Sequence, residues 1–416
     1  SRSTFSTEPV PRGLARKLDF AAAAMVRALC WTASLFACAW VALADITSPQ
    51  PLYRISARLL HDAGLQLGRL AAPRLKGWFA SEEMRGVLAF ARGAGGEAFA
   101  AMKKANTERF PQYVAELEGV AEGAGVDVDA VWTANLIEEL ESLMNQSHVN
   151  HCSDIYAVSE AGYAHGFAHG HNEDWPGVIK NFWYWVEYSP LPGADFESCS
   201  GMAYPGTLIG FATTWNAHGM YLTQNTLFPY KSTAGGLAST FIQREAICGK
   251  AGSGGLDAVL HALTTSAGPW ADGASVNIVD LKAKRMANVE VHQGQHAVTE
   301  VTEAMGNYSH FNMYKALQPG VVDPLDTSTA HRQARVWALP APHEKADIMR
   351  ILSDRHDEAY PVFRAETLAT LILDGATGHL NAWCCGQSPA SGGAPVRSWK
   401  LLPSKSVERN RVAVFT

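Results

Sequence analysis

The sequence predicts an α+β fold in which helices pack outside stacked, mostly antiparallel sheets. Three observations carry this. Before about residue 144 the apolar residues recur at helical spacing between capping signals; from Ser153 the chain breaks into short aromatic strands punctuated by glycine; and after a helical interval at 239–265 paired strands return.

The elements follow in order. Residues 46–75 carry a helical pattern from Leu59-Leu60 to Leu70. Ser81 is an N-cap, with Glu82 and Glu83 in the first turn favoured by the helix dipole. Pro111 opens a second helix to Glu122, closed by Gly123-Ala124-Gly125. Asp127 or Asp129 caps a third, through Val131, Ala134, Ile137 and Leu140. Beyond Cys152, strands are expected at 153–158, 163–169, 182–188, 207–214 and 219–225, then helices at 239–248 and 256–265. Strand pairs follow at 276–280 with 287–291 and at 368–373 with 379–383, the second closed by Asp374-Gly375-Ala376-Thr377-Gly378.

Composition narrows the function classes. Hydrophobic residues make up 47% and charged residues 18%, an ordinary globular balance with ample core material. The net charge of −6 and the lack of a long basic run argue against nucleic acid as a partner. Seven cysteines (30, 38, 152, 199, 248, 384, 385) form no C-x-x-C motif, which argues against a zinc ribbon or a dithiol oxidoreductase. Cys199, Cys248, Cys384 and Cys385 are candidates for disulfides or buried thiols.

The chain begins with Ser1. Met25 is followed by Arg27, an apolar run from Ala28 to Ala44 and the small-residue site Ala42-Leu43-Ala44. Residues 25–44 thus read as a signal peptide, with 1–24 an upstream extension. An uncleaved membrane anchor is the alternative. Sequons at Asn145 and Asn307 suit a secreted or lysosomal/vacuolar glycoprotein.

Cys152 sits where the helical part gives way to strands. If the bond after His151 were cut, Cys152 would offer both a thiol nucleophile and a free amine as its base. Several separated blocks support that role: Leu117-Glu118-Gly119-Val120-Ala121-Glu122-Gly123-Ala124-Gly125-Val126, Cys152-Ser153, Gly170-His171-Asn172-Glu173-Asp174-Trp175, and Trp215-Asn216-Ala217-His218-Gly219-Met220 with Gln224-Asn225-Thr226-Leu227. In order and spacing these resemble the autoproteolytic acyltransferase/amidohydrolase family of N-terminal-nucleophile (Ntn) hydrolases. Weaker matches lie at Tyr308-Ser309-His310-Phe311 and Tyr360-Pro361-Val362-Phe363-Arg364. The family places glycine before the nucleophile, where this chain has His151.

The resemblance implies a four-layer αββα sandwich, made as a precursor and cut between His151 and Cys152. Residues 45–151 would form a light chain that folds as one domain with a heavy chain of 152–416. It further implies that Cys152 is the nucleophile, that Asp174 orients its amine, and that Asn225 supplies an oxyanion-hole donor. Asn172 and Asn216 would support turns, and Arg364 would be a buried charge near the nucleophile. Trp175, Trp183 and Trp185 are pocket candidates. No cofactor or metal is required. The expected substrate is a small acyl amide, and the resemblance extends this to thioesters such as acyl-coenzyme A.

Three other readings stand beside this one. His165, His169 and His171, with Asp174, have the spacing of a metal site on a continuous strand, although Gly170 is expected to end that strand before His171. A non-catalytic secreted scaffold of the same fold would leave the His151-Cys152 bond intact. The lysosomal phospholipase B-like proteins also combine an autoproteolytic cysteine with the secretory route.

Overall fold

The computed structural model describes residues 50–144, 152–175, 177–229, 232–266, 268–317 and 327–402. The expected signal segment 25–44, the extension 1–24, the sequon at Asn145 and His151 lie outside these residues. Among the described residues no helix is long and apolar enough to cross a membrane.

A short strand, β1 (Leu52–Ile55), precedes the helices α1 (Leu60–Phe79), α2 (Glu82–Arg92), α3 (Gly96–Arg109), α4 (Pro111–Ala124), α5 (Val128–Asn135) and α6 (Ile137–Leu143). Then come β2 (Ser153–Val158), β3 (Phe167–Asp174), β4 (Tyr184–Tyr188), β5 (Cys199–Ala203), β6 (Thr214–Asn216) and β7 (Met220–Leu227). Helices α7 (Ser239–Cys248) and α8 (Leu256–His261) lead to β8 (Gly273–Asp280), β9 (Arg285–His292), β10 (Gln295–Glu300) and β11 (Asn307–His310). Helices α9 (Thr327–Ala338) and α10 (Lys345–Leu352) precede β12 (Thr367–Asp374), β13 (His379–Cys384) and β14 (Arg397–Lys400).

Two sheets result. One runs β1-β4-β5-β6-β7-β8-β9-β10 and the other β11-β2-β3-β12-β13-β14. Every pairing is antiparallel except β1 with β4. Their inner faces meet through pairs such as Tyr156 with Asn277 and His169 with Tyr221. Outside the six-stranded sheet, Ile348, Ile351 and Leu352 of α10 pack on Ile155, Ala168 and Ile372. Helices α7 and α8 contact the eight-stranded sheet, and α4 reaches its β4 through the bond from Tyr188 Oη to Glu116 Oε1 (2.7 Å). This is the expected α+β sandwich of four layers.

The local chemistry is legible. Ser81 Oγ accepts the Met84 amide at 3.2 Å, and Asp127 caps α5 through Asp129 N at 3.1 Å. Gly125 closes α4 with φ +63°, a conformation glycine adopts without cost. The block Leu117–Val126 acquires a packing reason. A Cβ on Gly119 or Gly123 would collide with the carbonyls of His61 or Leu65, and one on Gly64 or Gly68 with those of Glu116 or Val120. Glycines on both helices let α1 and α4 approach backbone to backbone.

Some expectations change. The third helix breaks at Leu136 into α5 and α6. The strand expected at 207–214 is instead a turn-rich run with Thr214–Asn216 as β6, and Cys199–Ala203 forms β5. Helices α3, α9 and α10 and strands β1, β10, β11 and β14 were not foreseen. Cys199 and Cys248 form a disulfide with Cα atoms 5.5 Å apart, tying β5 to the end of α7. Cys384 and Cys385 remain thiols. Asn307 begins the edge strand β11, paired with Ala157.

Candidate active site

Cys152 is buried at the head of β2. Side chains alternate along a strand, so β2 and β3 each present two faces. Toward the eight-stranded sheet they turn Asp154, Tyr156, His169, His171 and Glu173. Toward α10 they turn Asn172, whose Nδ2 donates to the carbonyls of Leu352 (3.0 Å) and Val362 (2.9 Å). Asp174 lies on this second side, near Arg364.

The first face holds a buried polar chain. His171 bridges two carboxylates, with Nδ1 2.9 Å from Asp154 Oδ2 and Nε2 3.1 Å from Glu173 Oε2. Asp154 also accepts from Thr223 Oγ1 (2.6 Å) and Asn225 Nδ2 (2.7 Å). His169 Nε2 lies 3.0 Å from Asp154 Oδ1, close enough for an ion pair but not aligned for a hydrogen bond. Tyr204 Oη donates to Glu173 Oε1 at 2.6 Å, and the same oxygen lies 3.9 Å from Cys152 Sγ. Behind them, Asn277 Nδ2 donates to Asn225 Oδ1 at 2.9 Å.

Protonation follows from these contacts. Burial opposes charge on His171, but Asp154 overrides it, helped by bonds to Cys152 and Glu173; its pKa lies well above the ordinary imidazole value. His171 is therefore an imidazolium. Burial raises Asp154, yet the His171 charge and the two histidine contacts win and hold it well below the carboxylate range. Burial keeps His169 below the ordinary imidazole range. Burial, then the Glu173 charge, pushes the Cys152 thiol up to about 12, only partly offset by His171. In the uncut chain the thiol is neutral near pH 7.

The second face is built on two arginines. Arg332 of α9, fully buried, donates from Nη1 to Cys152 O (2.6 Å) and Ser153 Oγ (2.9 Å), and from Nη2 to Asn312 Oδ1 (2.9 Å) and Thr329 Oγ1 (3.0 Å). Ser328 Oγ accepts from Arg332 Nε at 3.3 Å and from Arg364 Nη1 at 3.1 Å, joining the pair. Arg364 Nε lies 3.4 Å from Asp174 Oδ2. Both Asp174 oxygens are buried and accept no hydrogen bond from the described residues. Burial raises the Asp174 carboxyl to about 6, with Arg364 as the chief opposing charge.

Of the residues expected from sequence, the fold gathers Cys152, Asp174, Asn225 and Arg364. Asn225 spends its amide donor on Asp154. Asn172 anchors β3 within the strand rather than in a turn, and its Oδ1 accepts from Thr370 at 2.7 Å. Asn216 supports a turn as expected, through His218 N and the carbonyls of Ile247 and Gly252, and touches none of the cluster. Trp175 packs on Tyr204 and Phe211, Trp185 is core, and Trp183 lines a cavity.

The histidine reading needs correction. Strand β3 runs unbroken through Gly170, where the absence of a side chain leaves room for Ile348 and Leu352. His169 and His171 do share a face, but His165 is exposed and Asp174 points the other way. The ligand atoms that do converge belong to Cys152, His171 and Glu173, all within 4.8 Å of one another. They have the composition of a soft-metal site, with His171 Nε2 already engaged by Glu173. Arg332, Glu173 and Asp154 were missed. Arg332 lies in an ordinary amphipathic helix, and only the fold brings it under Cys152.

Comparison with known proteins gives three findings. The profile of the family described as acyl-coenzyme A:6-aminopenicillanic acid acyl-transferase matches residues 164–389, a span that takes in His171, Asp174, Asn225 and Arg364 and begins after Cys152. The beta-alanyl-dopamine/carcinine hydrolase of Drosophila melanogaster is 27% identical over 297 residues, covering 64% of this chain and 74% of its own. Among solved structures, two variants of the conjugated bile acid hydrolase from Clostridium perfringens align at 13% identity over 62% of this chain and 99% and 100% of theirs, with TM-scores of 0.31 and 0.32.

Proposed function

This chain belongs to the acyl-coenzyme A:6-aminopenicillanic acid acyl-transferase family, and we propose that it is a cysteine amidohydrolase activated by self-cleavage between His151 and Cys152. The observation that carries this reading is Cys152 itself. Its carbonyl is held by Arg332, its thiol lies against the His171–Glu173 pair, and the Asp174 carboxylate, ion-paired with Arg364, stands on the neighbouring strand.

Two acyl transfers follow. In the precursor the Cys152 nitrogen is part of a peptide bond and is not basic. The carboxylate nearest the thiol in the described structure, Glu173, takes the proton as the sulfur attacks the His151 carbonyl. The intermediate collapses by breaking the His151–Cys152 C–N bond, the proton held by Glu173 passing to the departing nitrogen, which frees the Cys152 amine; water then hydrolyses the thioester, releasing the Cys152 thiol and the His151 carboxylate. In the mature enzyme that amine, with an ordinary pKa of about 7.7–8.0, becomes the base. Asp174 has open acceptor positions with which to orient it. Asn225 acts through Asp154 and so positions the His171 pair; its role as an oxyanion donor would need that bond to break.

The reaction is hydrolysis or transfer of the acyl group of a small amide through a cysteinyl thioester, extending to acyl-coenzyme A. The relative's name supplies the first substrates to test: β-alanyl-dopamine and carcinine. The light chain 45–151 stays with the heavy chain, supported by the β1–β4 pairing and the buried Glu116–Arg244 ion pair at 3.0 Å. Routing through the secretory pathway to a secreted or lysosomal/vacuolar site is supported by the Cys199–Cys248 disulfide.

Hydrolysis of both amides is expected to survive EDTA and to fall at least about 1,000-fold on thiol alkylation or in Cys152→Ala, since no second group replaces a covalent nucleophile. Activity lost to EDTA and restored by zinc would favour a metallohydrolase built on Cys152, His171 and Glu173.

Asp174 gives a pH prediction. With its carboxyl raised to about 6, it is charged above that pH and neutral below, so amide hydrolysis by the mature enzyme, whose amine it orients, should slow further as pH falls through about 6. Asp174→Asn should hydrolyse the amides slowly at every pH and lose that acid limb. An unchanged limb in the variant would remove Asp174 from the step.

A further inference from the structure

The adjacent cysteines at the end of β13 belong to none of the groups above. Their sulfurs lie 2.8 Å apart. Cys384 is buried, while Cys385 is half-buried and adopts φ +62°, a left-handed conformation that a non-glycine residue takes only where its surroundings hold it. Cys385 and Gly386 line a cavity of about 220 Å³ together with Gln50, Lys180, Trp183 and Thr367.

That cavity adjoins the candidate active site. Thr367 is the register partner of Asp174, and its Oγ1 accepts the Arg364 amide at 3.1 Å. The sheet register puts Ser153, Asn172, Thr370 and Trp383 in one row, so Cys152 and Cys384 both flank it at the same end of the sheet. The Cys199–Cys248 disulfide fits a chain that meets thiol-oxidising conditions as it matures.

We propose that Cys384 and Cys385 are a modification site, closing to a vicinal disulfide that moves the Cys385 sulfur off the cavity wall and changes which acyl amides the enzyme accepts. The oxidant class is a small-molecule disulfide. The Cys385 thiolate attacks one sulfur of the oxidant, forming a mixed disulfide and expelling one thiolate. The Cys384 thiolate then attacks the Cys385 sulfur and expels the second. The pair loses two electrons and two protons, and the oxidant leaves as two thiols. Consecutive Cα atoms are about 3.8 Å apart, below the usual disulfide range of about 4.4–6.8 Å, so this bond is strained and readily reduced. Cys199 and Cys248, at 5.5 Å, lie within that range.

The oxidation does not depend on the proposed hydrolase reading, but its effect on substrate does. The test equilibrates the whole protein over a series of reduced to oxidised glutathione ratios, quenches with acid, alkylates, and weighs the peptide holding residues 384–385. Expected is a change from two alkyl groups to none, with loss of two hydrogens, at ratios that leave Cys199–Cys248 intact. In parallel, KM for the amide substrate should shift about 10-fold, as for one group gained or lost in a pocket, with kcat little changed. The Cys384→Ser/Cys385→Ser double variant should lose that shift. Two alkylated thiols at every ratio would overturn the proposal, as would a KM shift that persists in the double variant. A protein inactive on every amide would sink the hydrolase reading, leaving the peptide mass to decide the thiol pair.

Discussion

Replacing His171 with glutamine is expected to destabilise the uncut chain by about 3–5 kcal/mol, the cost of breaking a buried ion pair by removing one partner. The imidazolium sits between Asp154 and Glu173, all three buried. Glutamine carries no charge and cannot compensate both carboxylates. Asp154 would keep Thr223 and Asn225, and Glu173 would keep Tyr204, so the fold should survive at lower stability. Compared in a Cys152→Ala background, where neither protein is cut, the variant should melt about 4–6 °C lower near pH 6. The sign with pH is fixed. The folded pKa of His171 is raised, so its contribution is complete below the ordinary imidazole pKa of about 6.5 and disappears as pH rises through the folded value. The gap between the two melting curves should therefore narrow in alkali, and adding Glu173→Gln should recover part of the loss. Equal melting temperatures at pH 6 would mean that the pair is not charged as described.

Arg332 carries the second large effect. It is fully buried and holds the Cys152 carbonyl, the Ser153 hydroxyl, Asn312 and Thr329 at once. Through the Cys152 carbonyl it fixes where the thiol sits relative to the bond to be cut, which makes it a positioning residue. Losing one such charge-assisted contact in a buried site is worth about 2.7 kcal/mol, or about 100-fold in rate. Arg332→Lys should fold, because a charge remains, yet cleave about 100-fold more slowly, because an ammonium cannot reproduce the planar fork. Cleavage half-times after refolding measure this, with circular dichroism confirming the fold. Wild-type cleavage in the lysine variant would reduce Arg332 to a generic counter-charge.

How much of this was legible in the sequence differs by residue. Ser81, Asp127 and Gly125 act locally, through caps whose partners lie within a few residues, and the sequence reveals them. The switch at Cys152 and the pairing of β12 with β13 are likewise short-range signals. The strand expected at 207–214 failed because an apolar, threonine-rich run has the composition of a strand, whereas Thr214 Oγ1 spends itself on the Gly210 amide in a turn. The His171 bridge depends on Asp154 and Glu173 meeting it across two strands, and Arg332 reaches Cys152 from 180 residues away. Pairing of that kind leaves no local pattern. Gly170 misled for a related reason: its small size serves the packing of α10, not the end of a strand.

The most direct test is the intact mass, under denaturing and reducing conditions, of the purified wild-type protein and of Cys152→Ala. Self-cleavage predicts two chains in the wild type, the heavier beginning at Cys152, and a single uncut chain in the variant. A folded wild-type protein that remains one chain, or a Cys152→Ala variant cut at the same bond, would contradict it.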